Sequence, residues 1–206
     1  MPECNDAILV TGWIALETTA LLARRKKEEL MKRLPSDLIR TAESFAEGRF
    51  LDKLSAAKVR EILGMDKIPG SGCDADGISD SGRGREMQGG IEVTEVLEGG
   101  IFHALWDMAE KEHRGMDIDL CRIPIRQETV ELCEVFDLNP YQARSGGCCL
   151  ITASNGAPVL ERLKAAGVPV SYIGIVTKGP ARLLRHQEDI RYLDKPRYQD
   201  EIRKIR

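Results

Sequence analysis

EVLEGGIFHALWDMAEKEHRGMDIDLCRIPI, residues 95–125, sets two glycines at the mouth of an amphipathic helix and follows that helix with a short alternating segment. In the helix, Ile101, Ala104, Leu105, Met108 and Ala109 recur at the three- and four-residue spacing of one buried stripe, with His103, Asp107 and Glu110 opposite. In the segment after it, Met116, Ile118 and Leu120 share one strand face. Pro124 separates that strand from a helix around QETVELCEVFDL (127–138), which Asn139 and Pro140 are expected to end. A helix with strands on both sides in sequence buries its stripe against a sheet, and the rest of the chain supplies the strands.

Upstream, DAILVTG (6–12) is an apolar run of strand length closed by a glycine. From Leu16 the pattern turns helical, with Leu16, Ala20, Ala23, Leu30 and Leu34 on one face, a charged block at 24–29 and a stop at Pro35. Ser36 offers a cap for a second helix carrying Leu38, Ala42 and Phe45. Ser55 does the same for a third carrying Val59, Ile62 and Leu63, ended by Gly64. Residues 66–90 are rich in Gly, Ser and Asp and read as a long mobile loop before the strand IEVTEV (91–96). CCLIT (148–152) is apolar on both faces, as a central strand is, and VSYIGIVTKG (170–179) is another strand. Between them APVLERLKAAG (157–167) is a helix with Pro158 at its start and Gly167 at its end. The charged remainder after Arg182 suits an edge strand and a last helical turn. Helices alternating with strands too far apart for hairpins argue an α+β fold, a mixed sheet layered with helices.

Composition narrows the function classes. With 206 residues the chain suits one domain, its core about 7–184 and a charged tail over 185–206. A formal charge of -3 gives no basic footprint for nucleic acid or an anionic membrane. No run approaches a membrane span, and the acidic start does not read as a secretion signal, so a cytoplasmic location is expected. The 6 cysteines show no CxxC pair and read as reduced thiols, with Cys148 and Cys149 as small buried hydrophobes and Cys73 in the loop. Asp74, Asp76 and Asp80 fail a calcium-loop pattern, because Ile78 and Arg85 stand where oxygen ligands belong. His103, His113 and His186 lack ligand spacing. No catalytic residue and no metal site is assigned.

Two glycine segments remain. Gly99, Gly100 and Ile101 open a helix, whose N-terminal amides and partial positive charge suit a phosphate, although Glu95 and Glu98 beside them oppose an anion. Ser145, Gly146 and Gly147 precede a buried strand and could likewise aim backbone amides at a ligand. In both places the other reading is packing: tight helix-to-sheet approach in the first, an ordinary loop at a sheet edge in the second.

The order of these segments resembles the C-terminal domain of the aminoimidazole ribonucleotide synthetase (PurM-like) superfamily. The resemblance runs through EGGIFHALWDMAEKEHRGMDIDLCRIPIRQETVELCEVFDLNPYQARSGG (98–147), AGVPVSYIGIVTKGPARLL (166–184) and ILVTGWIALETTALLA (8–23). Within it, the double glycine, the Ile-Pro-Ile-Arg turn, the Asn-Pro and the Ser-Gly-Gly look like hydrogenase expression/formation proteins. The resemblance implies an N-terminal ATP-binding domain elsewhere, so that ATP and magnesium would be bound only if a partner supplies it and no cofactor is expected alone. A protein partner or a homodimer is implied. Thr94, Glu95 and Leu97 stand where the family has a His-Asp pair and a Thr, and Ala15 and Thr18 where it has glycines. The chain ends Arg203-Lys204-Ile205-Arg206 where maturation proteins of this type carry a reactive cysteine. The expectation is an accessory or binding module, not catalytic alone. The alternative is a divergent ATP-dependent synthetase or phosphotransferase subunit acting with a separate ATP-binding protein.

Overall fold

The computed structural model describes residues 3–46, 55–65, 90–196 and 201–205. The expected loop falls almost wholly outside them, and with it Cys73, Asp74, Asp76 and Asp80. Seven strands form one mixed sheet: β1 (Ala7–Thr11), β2 (Ile91–Glu95), β3 (Gly115–Asp119), β4 (Cys149–Ala153), β5 (Val170–Thr177), β6 (Arg182–His186) and β7 (Asp189–Tyr192), in the order β2-β4-β1-β5-β3-β6-β7. Every pairing is antiparallel except β3 with β6. β1 and β4 are buried along their whole length, which explains why AILVT and CLITA lack the polar alternation of a half-exposed strand.

Seven α-helices are described: α1 (Leu16–Arg25), α2 (Lys27–Leu30), α3 (Ser36–Ser44), α4 (Ala56–Leu63), α5 (Gly100–Glu112), α6 (Gln127–Val135) and α7 (Gly156–Ala165). The period-2 alternation of β1 divides the core. Ile8 and Val10 face a cluster with Ile101, Phe102 and Leu105 of α5 and with Met116 and Ile118 of β3. Ala7 and Leu9 face Val59 and Leu63 of α4 and Val159 and Leu163 of α7. A third cluster, Leu22, Ala23, Leu30, Ile39, Ala42 and Leu132, joins α1, α2, α3 and α6.

Helix ends follow local chemistry. The Ser55 hydroxyl accepts from the Lys58 N–H as expected, and Gly64 (φ 75°) and Gly167 (φ 73°) close α4 and α7 in the left-handed conformation. Four expectations are corrected. The first helix does not run on to Pro35: it breaks at Lys26 (φ -115°), inside the run Arg24-Arg25-Lys26-Lys27, whose like charges disfavour stacking on successive turns. Ser36 is not a cap, because Pro35 takes that position with extended backbone and Ser36 is already the first helical residue. α6 ends at Val135, before Asn139-Pro140, because Asp137 adopts φ 53° and the Leu138 N–H donates back to the Cys133 carbonyl at 2.9 Å. The Asn139 side chain instead accepts from the Tyr141 N–H and caps a short 3-10 turn, Pro140–Gln142. Finally, one hairpin does exist: β6 and β7 pair with His186 opposite Asp189, and Gln187 supplies the positive φ (56°) that a two-residue turn needs.

Candidate functional site

The two glycine segments come together at one end of the sheet, held by the turn between β1 and α1. Gly99 (φ 78°) and Gly100 (φ 65°) turn the chain into α5. A Cβ on Gly100 would stand 2.5 Å from the Tyr141 carbonyl oxygen and 2.7 Å from that of Ala143, so this glycine is required by backbone lying directly against it. The Phe102 ring stacks on Tyr141 with centroids 5.0 Å apart, fixing α5 against the same 3-10 turn.

Ser145 is fully buried. Its hydroxyl accepts from the Ala15 N–H at 2.8 Å and donates to the Ala143 carbonyl at 2.9 Å. Ala15 has φ 58°, a conformation glycine takes more readily. Thr18 donates its hydroxyl to the Arg144 carbonyl at 3.1 Å. The Val96 N–H reaches the Cys148 carbonyl, linking the entry to α5 with the segment behind Gly147. Ser145→Ala leaves the Ala15 N–H buried without an acceptor, and is expected to lower the unfolding free energy by about 2 kcal/mol in urea titrations.

The charges around the glycines are arranged differently from the sequence expectation. Glu98 is not an isolated repulsive charge: Arg144 Nη1 lies 3.4 Å from its carboxylate, while Arg144 Nε lies 3.0 Å from that of Glu17. Glu95 is directed elsewhere and accepts from the Ala56 N–H at the start of α4. Glu17 also packs against Gly146, where a Cβ would meet its Oε2 at 2.5 Å. Glu17 and Arg144 went unnoticed in the sequence; the one signal for them is an arginine immediately before Ser-Gly-Gly. These are half-exposed ion pairs that orient loops and contribute little stability.

Burial pushes the Cys149 thiol up to about 12 and holds that of Cys148 well above its ordinary value, as expected of small buried hydrophobes rather than nucleophiles. His113 and His186 are exposed, and His103 is half-buried with Nδ1 3.0 Å from the Glu98 carbonyl oxygen. Among the described residues no group of three or more His, Cys, Asp or Glu side chains is placed to hold a metal ion. No helix among them is long and apolar enough to cross a membrane. Among the described residues the arrangement is a junction of three loops with backbone amides at the start of α5.

Residues 95–185 match the family described as AIR synthase related protein, C-terminal domain. No curated protein sequence matches the chain. Among solved structures, E. coli HypE, a hydrogenase maturation protein, is similar with a TM-score of 0.65 and 19% identity over 94% of this chain and 51% of that one. A hydrogenase maturation protein HypE in complex with ATP gives 0.62 and 16% over 98% and 53%, and a HypE-HypF complex gives 0.60 and 15% over 94% and 54%. The chain thus spans about half the length of the solved proteins it matches. The α+β architecture is accounted for: residues 95–185 match the AIR-synthase-related C-terminal domain, and the fold of the chain is similar to that of HypE-type hydrogenase maturation proteins.

Proposed function

We propose that this chain is an accessory or binding module in metalloenzyme maturation, not catalytic alone, that works with a separate ATP-binding protein. The observation that carries this reading is the likeness in fold to the HypE structure that holds ATP, over 98% of this chain and 53% of that one. The local geometry supports it. Gly100 and Ser145 are committed to packing and to internal hydrogen bonds, the Gly100 N–H donating to the Leu97 carbonyl at 3.2 Å, so the amides at Gly99, Ile101, Gly146 and Gly147 would form only one wall of a nucleotide site. Through those amides the junction would face phosphate groups held by the partner, and the Arg144 bridge would keep Glu17 and Glu98 from repelling them. ATP with magnesium would accordingly be bound by the assembly.

Titration calorimetry tests this directly. Magnesium-ATP added to the chain alone should give no saturable heat in the micromolar range, whereas affinity purification from the native cell should recover an ATP-binding protein that restores binding. Tight ATP binding by the isolated chain would overturn the reading.

A further inference from the structure

The tail of the chain ends in a 3-10 turn, Glu201–Lys204, that is tied to the domain by a buried charge. Ile202 and Ile205 pack against the cluster joining α1, α2, α3 and α6, and the Glu201 side chain is only 7% exposed. Glu201 Oε2 accepts from the Asn139 N–H at 3.1 Å and from Lys204 Nζ at 2.6 Å. A carboxylate out of water is tolerated only with such donors, so the turn and the Asn139 backbone depend on each other.

Asn139 in turn opens the segment against which α5 rests. Its Oδ1 accepts from the Tyr141 N–H at 3.0 Å, the Tyr141 ring stacks on Phe102, and the Tyr141 and Ala143 carbonyls crowd Gly100. An unbroken series of contacts therefore runs from the tail to the mouth of α5.

We propose that residues 201–205 are a latch on the glycine junction, in which Glu201 is a positioning residue that fixes the 139–143 segment and so orders Gly99–Ile101. The importance of the junction rests on the function proposed above, but the latch itself is tested without nucleotide. Undocking the turn removes the acceptor of the Asn139 N–H, and the capped 3-10 turn behind it loses its anchor. The docked and undocked tail are the two states that couple the sites. A protein that captures the tail would loosen the junction, and a ligand that orders the junction would hold the tail docked by the same factor.

Backbone 15N relaxation on the full chain reads this at single residues. In Glu201→Ala, the order parameters of Gly99, Gly100, Tyr141 and Ala143 should fall from about 0.85 toward about 0.6, while those of Leu9 and Ile151 in the centre of the sheet stay unchanged. Glu201→Gln keeps an acceptor for the Asn139 N–H and should retain most of that order. Lys204→Ala removes only a half-exposed partner and should leave the junction as it is. Wild-type protein supplies a test that needs no variant: across a urea series the Asn139, Tyr141 and Gly100 amides should exchange with one common opening free energy, as a single cooperative unit does. Order lost only within 201–206, equal losses in Glu201→Ala and Glu201→Gln, or separate opening energies for Asn139 and Tyr141 would each overturn the proposal.

Discussion

Gly100→Ala is expected to lower the unfolding free energy by about 2–4 kcal/mol. Two costs add. The left-handed backbone at φ 65° costs an alanine about 1–2 kcal/mol. The new methyl then meets the Tyr141 and Ala143 carbonyl oxygens at 2.5 and 2.7 Å and the Ala143 nitrogen at 2.9 Å, all backbone that cannot rotate away. Overpacking of that kind costs about 1–3 kcal/mol, and the stiffer unfolded chain returns about 0.4–1 kcal/mol. Gly167→Ala is the matched control. Its φ is 73°, but nothing lies within 4 Å of the added methyl, so its net cost should fall within about 1 kcal/mol. Urea midpoints for the two variants measure the difference. If Gly100→Ala were no worse than Gly167→Ala, α5 would not be pressed against the 140–143 segment in the way described.

The second large effect is alkaline. Burial, aided by the nearby Glu201 charge, pushes the Cys133 thiol from 9.0 to about 12. Burial does the same for Cys149, with Glu95 adding to it and a hydrogen bond from Thr11 opposing it. The native state therefore holds these thiols neutral while the unfolded chain releases their protons. Their stabilising contribution is complete below pH 9 and is lost as pH rises toward 12, at about 1.4 kcal/mol per pH unit for each thiol. By pH 10.5 each should have cost about 2 kcal/mol. Urea melts under reducing conditions at pH 8 and pH 10.5 give the total, and Cys133→Ala or Cys149→Ala should each flatten the slope by one thiol's share. An unchanged slope in both variants would show that the thiols titrate normally.

Much of the fold was legible because it depends on short-range pattern. The strands at 7–11, 91–95, 115–119, 149–153 and 170–177 and the stripe of α5 follow from apolar periodicity. Gly64 and Gly167 could be read as helix ends because glycine is the usual left-handed residue. Asp137 and His113 do the same work at φ 53° and 49°, and no residue type announces that. The break at Lys26 falls inside a run of like charges and Asn139 caps a turn through Tyr141, two residues on, local features that apolar periodicity does not carry. The glycine segments were legible as positions and not as roles. Ser145 stands 130 residues from Ala15, whose N–H it accepts, and Arg144 stands 127 residues from Glu17. The choice between packing and ligand binding turned on those distant contacts, and at Gly100 and Ser145 the packing contacts are explicit.

The placement of β1 has a consequence for synthesis of the protein. It precedes both of its neighbours in the chain, β4 and β5, which begin at Cys149 and Val170. At about 5–20 residues per second, an emerging Ala7–Thr11 waits roughly 7–30 seconds for a hydrogen-bonding neighbour. Throughout that interval its five apolar or β-branched residues offer two open edges to the ribosome-bound chain and to anything near it. The centre of the finished sheet is thus a strand that stays unpaired until its two neighbours have been made.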